Sequence, residues 1–130
     1  MKVQPKNKSE LKDIIEETIK EQGFDCDLNF IDTSAITDMS ELFIESKFNG
    51  DISKWDVSNV KDMFSMFFGS VFNGDISKWN VSNVRNMECM FEFSRFNKDI
   101  SKWNVSNVKK MKGMFNHSSL EGNEPVWYKG

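Results

Sequence analysis

The sequence predicts an α/β repeat fold: a right-handed solenoid of short parallel strands and short helices in 24-residue coils, with an N-terminal capping helix. Three observations predict it. Residues 48–119 are three consecutive copies of one unit, FNGDISKWDVSNVKDMFSMFFGSV, FNGDISKWNVSNVRNMECMFEFSR and FNKDISKWNVSNVKKMKGMFNHSS, and neighbouring copies agree at 16 of 24 positions. A period of this length marks a repeat architecture, in which one unit cannot bury its apolar face alone and stacking supplies the core. Within the unit the apolar residues hold fixed phases, which in the second copy are Phe72, Ile76, Trp79, Val81, Val84, Met87, Met90 and Phe91. Ahead of the repeats, Leu11, Ile14, Ile15, Thr18 and Ile19 recur at helical spacing.

The chain divides into a tail and capping helix at 1–23, four coils at 24–119 and a C-terminal cap at 120–130. The spacing predicts a helix over about 9–22, with Ser9 as N-cap, Glu10 and Asp13 in the first turn where the helix dipole favours negative charge, and Gly23 just past its end. Residues 24–47 are a degenerate first copy: Phe24 falls on the phase of Phe48, Leu28 on Ile52, Ile31 on Trp55, Thr33 on Val57, Ile36 on Val60 and Met39 on Met63. Divergent terminal repeats are expected where one face has no neighbour. Ile76-x-x-Trp79-x-Val81 has the L-x-x-L-x-L spacing of a leucine-rich repeat. It predicts a strand with Trp79 and Val81 inward and Lys78 and Asn80 outward. Val84, Met87, Met90 and Phe91 then read as a short helical stripe, with Ser82 or Asn83 as its cap. In the tail Leu120 falls on the Phe phase and Trp127 on the Trp phase, closing the last coil.

Composition narrows the function. The net charge of −3 argues against a dedicated nucleic-acid binder. It is unevenly spread: residues 1–47 hold 6 Lys/Arg and 11 Asp/Glu, whereas residues 48–130 hold 11 and 9. No apolar run reaches the roughly 18 residues of a membrane span, so no membrane insertion is expected. The start, MKVQPKNKSELKD, lacks the apolar stretch of a secretory signal, and as written the chain is expected in the cytoplasm. Cys26 and Cys89 lie at different phases of separated coils, so two free thiols are expected.

No catalytic, cofactor or metal motif is present. One histidine, His117, would have to serve any His-dependent site, and it falls at a corner phase. Asp51, Asp75 and Asp99 form a column that could suggest stacked calcium ligands, but such residues more simply cap turn amides. Asn59, Asn83 and Asn107 read as a ladder satisfying backbone groups, and the Trp and Met phases read as core. The candidate binding face is then the outward side of the Trp segment: Lys54, Asp56 and Ser58; Lys78, Asn80 and Ser82; Lys102, Asn104 and Ser106. Positions that differ between copies, among them Phe64/Glu88/Lys112 and Phe68/Glu92/Asn116, cluster elsewhere and form a second candidate face.

The pattern F-N-x-D-I-S-K-W-[DN]-V-S-N-V-x-x-M-x-x-M-F resembles the BspA-type leucine-rich-repeat family, particularly its Trp-Asp-Val-Ser-Asn-Val branch, common in mycoplasma-type surface proteins. The resemblance covers about residues 24–119. It implies an LRR-like solenoid, a role in adhesion or recognition of a protein partner, no enzymatic activity, and a place at the cell surface if a signal was removed. The alternative is a structural, self-assembling role, in which identical modules associate weakly edge to edge or end to end.

Overall fold

A computed structural model describes residues 2–130. The first element is the one regular helix, α1, Lys8–Gln22. Its N-cap is Asn7 rather than Ser9: the Asn7 side chain accepts the Glu10 amide at 2.9 Å, and the Glu10 carboxylate accepts the Lys6 amide at 3.0 Å. Gly23 ends the helix at φ 94°, with its amide returned to the Ile19 carbonyl. Leu11, Ile15 and Thr18 are buried, and Ile14 and Ile19 pack partly against the same core, so the apolar stripe faces the interior shared with the coils. The N-terminal tail joins it through a parallel bridge from Val3 to Ile31.

The 24-residue period is kept in space. We number the coils 1 (24–47), 2 (48–71), 3 (72–95) and 4 (96–119). Isolated parallel bridges tie Asp27 to Asp51 and run Asp38 to Asp62 to Asn86 to Lys110, each one period long. Three aromatic columns fill the interior. Trp55, Trp79, Trp103 and Trp127 lie within 11° of parallel at 6.4–6.5 Å. Phe43, Phe67, Phe91 and Phe115 stack at 5.5–5.7 Å, and Phe48, Phe72 and Phe96 at 6.0–6.3 Å. Such offset stacks avoid facing like-charged ring faces. The columns also touch one another from coil to coil, with Phe67 of coil 2 4.8 Å from Phe72 and 6.4 Å from Trp79 of coil 3. Leu120 is buried, and Tyr128 meets Phe115 edge-on at 5.0 Å, so residues 120–128 cover part of coil 4.

The coils are not built as the sequence predicts. Among the described residues α1 is the only helix, and the bridges do not extend into strands or a sheet. The α/β leucine-rich-repeat solenoid of short strands and short helices is therefore not the fold of this chain, and no handed strand–helix crossover exists. Each coil is a sequence of β-turns. In coil 2 the Trp55 amide returns to Ile52 O and the Val60 amide to Val57 O, which closes two turns where a strand was expected. Where a helix was expected, Met66, Phe68 and Ser70 donate to Met63, Ser65 and Phe67, three residues back, in three overlapping turns. The intervening amides, Met63, Ser65, Phe67 and Gly69, donate instead to Asn86, Glu88, Met90 and Glu92 of the next coil at 2.9 Å. Half the amides of this segment thus close turns and half tie coils together. A helix would have sent all of them back four residues.

This turn ladder needs left-handed backbone at two places per coil, the third residues of the first and last overlapping turns. In chain order they are Glu41 and Glu45, Ser65 and Gly69, Cys89 and Phe93, and Gly113 and His117, with φ between 51° and 72°. Only two of the eight are glycine, so six L side chains hold a conformation they rarely adopt.

Candidate functional site

Asx turns fix the polar corners. The side chains of Asp51, Asp75 and Asp99 accept the amides of Ser53, Ser77 and Ser101 at 2.8–2.9 Å. The Ser53 and Ser77 amides hold the carboxyls of Asp51 and Asp75 below the usual range, and at Asp99 the Ser101 side chain does most of this. These aspartates serve the turns, and among the described residues no three His, Cys, Asp or Glu side chains converge as a metal site. The Asn column has a backbone role: Asn59, Asn83 and Asn107 donate from Nδ2 to the carbonyls of Ser34, Ser58 and Ser82 at 2.6–2.7 Å. Each tryptophan Nε1–H spans to the previous coil, Trp55 to Leu28 O, Trp79 to Ile52 O, Trp103 to Ile76 O and Trp127 to Ile100 O, at 2.9–3.0 Å.

The nine residues of the first candidate face lie in register on the turns that bracket the tryptophans. Lys54, Lys78 and Lys102 are exposed. Asp56, Asn80 and Asn104 are exposed too, but each side chain accepts the amide of Ser58, Ser82 or Ser106, and Asp56 also takes the Ser58 hydroxyl at 2.6 Å. The face is a lysine column beside a row of turn-forming polar groups, with a shallow cleft between Ser53, Lys54, Asp75 and Lys78.

The second face is the turn ladder. There Phe64 is 36 % and Phe93 53 % exposed, with Ile44 also in solvent. Phe68 meets Phe93 edge-on at 5.6 Å, and Phe93 stacks on His117 at 4.8 Å. Ile44 and Phe68 share one phase, Phe93 and His117 another, so the patch crosses coils. Sequence reasoning singled out Phe64 and Phe68 but missed Phe93, whose phase carries Gly69 in the preceding copy. It also missed a cationic column, Lys61, Arg85 and Lys109, exposed and joined by their own inter-coil amide bonds at 2.8–2.9 Å. The 24-residue spacing of these three positive charges was the available signal.

Both cysteines are free; Cys26 is buried, and burial pushes its thiol up. Burial, reinforced by Glu92 and Glu88, pushes the Cys89 thiol up to about 11, so it stays protonated near neutral pH. No helix among the described residues is long and apolar enough to cross a membrane.

Comparison with curated proteins and with solved structures finds no match. Over residues 10–127, from α1 through the last tryptophan, the chain matches one family profile, and it belongs to that family, described as Mycoplasma protein of unknown function, DUF285.

Proposed function

We propose that the chain is a non-enzymatic recognition module that binds a protein partner, in adhesion or another protein–protein interaction, through the side of the coil stack. The observation that carries this reading is the aromatic surface of the turn ladder. Coils 2 and 3 bury Phe48, Phe67, Phe72 and Phe91 but leave Phe64 and Phe93 in solvent, with Phe93 against Phe68. Exposed aromatics gathered across neighbouring coils are the residues that dominate protein interfaces. The column of Lys54, Lys78 and Lys102, with Asp56, Asn80, Asn104 and their serines, adds a polar face that can steer and orient a partner. The likeness of the Trp-Asp-Val-Ser-Asn-Val unit to BspA-type surface repeats supports the same reading and a place at the cell surface.

The test is capture of a partner from the source organism's surface fraction by wild type and by two variants with unchanged thermal unfolding. Phe64→Ala/Phe93→Ala is expected to weaken capture about tenfold or more. Lys78→Glu/Lys102→Glu is expected to slow association and reduce its dependence on salt. Capture unaffected by both variants contradicts the proposal.

A further inference from the structure

Within the overlapping turns the inter-coil bonds run from each coil to the next, whereas the bonds on either side of them run back, Arg85 to Lys61 O, Lys109 to Arg85 O, Arg95 to Ser70 O and Ser119 to Ser94 O. Amides of coil 1 donate to carbonyls of coil 2, coil 2 to coil 3, and coil 3 to coil 4: Phe43 to Met66, Phe67 to Met90 and Phe91 to Met114, each at 2.9 Å. The ladder therefore ends in outward carbonyls at coil 1 and outward amides at coil 4. At the carbonyl end the chain supplies a cation. Lys8 Nζ donates to Ser40 O at 3.1 Å and Ser40 Oγ at 2.8 Å, and pairs with Asp38 at 3.4 Å. At the amide end, the amides of Met111, Gly113, Phe115 and His117 meet no backbone carbonyl among the described residues. The cap leaves a groove of about 450 Å³ there, lined by Val105, Val108, Met111 and Trp127 and rimmed by Lys109 and Lys129.

Formal charge follows the same polarity. Residues 96–130 carry six lysines and three carboxylates, a net +3, while residues 1–47 carry −5. Lys109, Lys110, Lys112 and Lys129 are exposed at the amide end. At the opposite end, the outward face of α1 presents Asp13, Glu16, Glu17 and Glu21 around Lys20. None of these charges is paired, since Lys8–Asp38 is the one ion pair among the described residues.

We propose that the amide end of coil 4 binds the acidic outward face of α1 from a second copy of this chain, so that copies associate head to tail. Carboxylates of α1 pair with the lysine rim beside these amides, of which Gly113 faces the Tyr128 hydroxyl and Phe115 lies under the Tyr128 ring. The apolar face of α1 stays on its own coil 1, so neither copy unfolds to make the contact. Tail-to-tail contact would set amides against amides and lysines against lysines, and head-to-head contact would set carboxylates against carboxylates. Polarity thus selects a heterologous contact that does not close on itself, and it yields open chains rather than a dimer. This surface is separate from the aromatic side face, and either proposal can fail without the other.

Sedimentation velocity on the full chain tests it, at about 20 mM and about 300 mM salt, where screening lengths differ severalfold. The average mass should rise with concentration at low salt and fall back at high salt. A tail-reversed variant, Lys109→Glu/Lys112→Glu, and a head-reversed variant, Glu16→Lys/Glu17→Lys, should each associate about tenfold more weakly alone. Mixed in equal amounts they should regain association, because each then meets its complement, and a merely misfolded variant cannot do this. A wild-type chain that stays monomeric at high concentration and low salt overturns the proposal, even if it takes an added poly-glutamate peptide. Association that persists in both variants, or a mixture that does not recover, overturns it as well.

Discussion

Trp79 carries two interactions at once. Its ring lies between Trp55 and Trp103, and its Nε1–H donates to the Ile52 carbonyl at 3.0 Å. Trp79→Ala should cost roughly 3–5 kcal/mol in urea unfolding, from lost burial and the cavity left behind. Trp79→Phe keeps much of the packing but strands the Ile52 carbonyl, and should still cost roughly 1–3 kcal/mol. If either variant unfolds like wild type, the inward column is wrong. The left-handed sites predict the opposite sign. Glu41 is exposed at φ 59°, and glycine there relieves the backbone penalty of an L residue while losing some unfolded-state restriction. Glu41→Gly should therefore be neutral or gain about 0.5 kcal/mol, whereas the same change inside a helix would cost about 1 kcal/mol. The corner aspartates set the acid limit. Folded Asp51, Asp75 and Asp99 have lowered pKa values, so the unfolded chain binds protons more readily. Their contribution is present above the unfolded value of about 4 and is lost as pH falls through the folded values. Asn80, Asn86 and Asn104 already perform the same turn bond without a charge. Asp51→Asn/Asp75→Asn/Asp99→Asn should thus fold and show a flatter loss of stability between pH 5 and pH 2 (about the carboxylate range) than wild type does.

At the scale of elements, α1 was legible because its apolar residues repeat every three or four positions and its ends carry polar and glycine stops. Only the cap residue was misplaced, since Asn7 and Ser9 both suit the role and two residues separate them. Leu11→Ala should cost about 2–5 kcal/mol and expose coil 1, as judged by earlier thermal unfolding and faster exchange of the Leu28 and Ile31 amides. The turn ladder was not legible. Met63, Met66 and Phe67 have helical spacing because overlapping turns with bonds three residues back bring similar positions to one side. The Ile52 and Trp55 spacing imitates a leucine-rich strand, yet a turn closes it. The signal that separates these cases is the left-handed backbone, and glycine marks it at only Gly69 and Gly113. At Cys89 and Phe93 the neighbouring coils impose the conformation, and a single sequence carries no trace of that.

For the whole molecule, the period gave the register of every buried column, since residues 24 apart share a phase in sequence and a stack in space. It located the lysine face by residue number, but it could not say that Asp56, Asn80 and Asn104 are engaged in turns. It could not foresee Phe93 in solvent either, because a phenylalanine on a glycine phase has no precedent within the chain. The ends of the stack are likewise beyond the period, because they depend on bond direction, which only the three-dimensional ladder defines. The turn ladder rests on amides that alternate between closing a turn and reaching the next coil. Scalar couplings measured by NMR across hydrogen bonds, from amide nitrogen to carbonyl carbon, read those partners directly. The Ser65 amide should couple to the Glu88 carbonyl and the Phe67 amide to that of Met90. Couplings from Ser65 to Lys61 and from Phe67 to Met63 would mean a helix in that segment and would contradict the account.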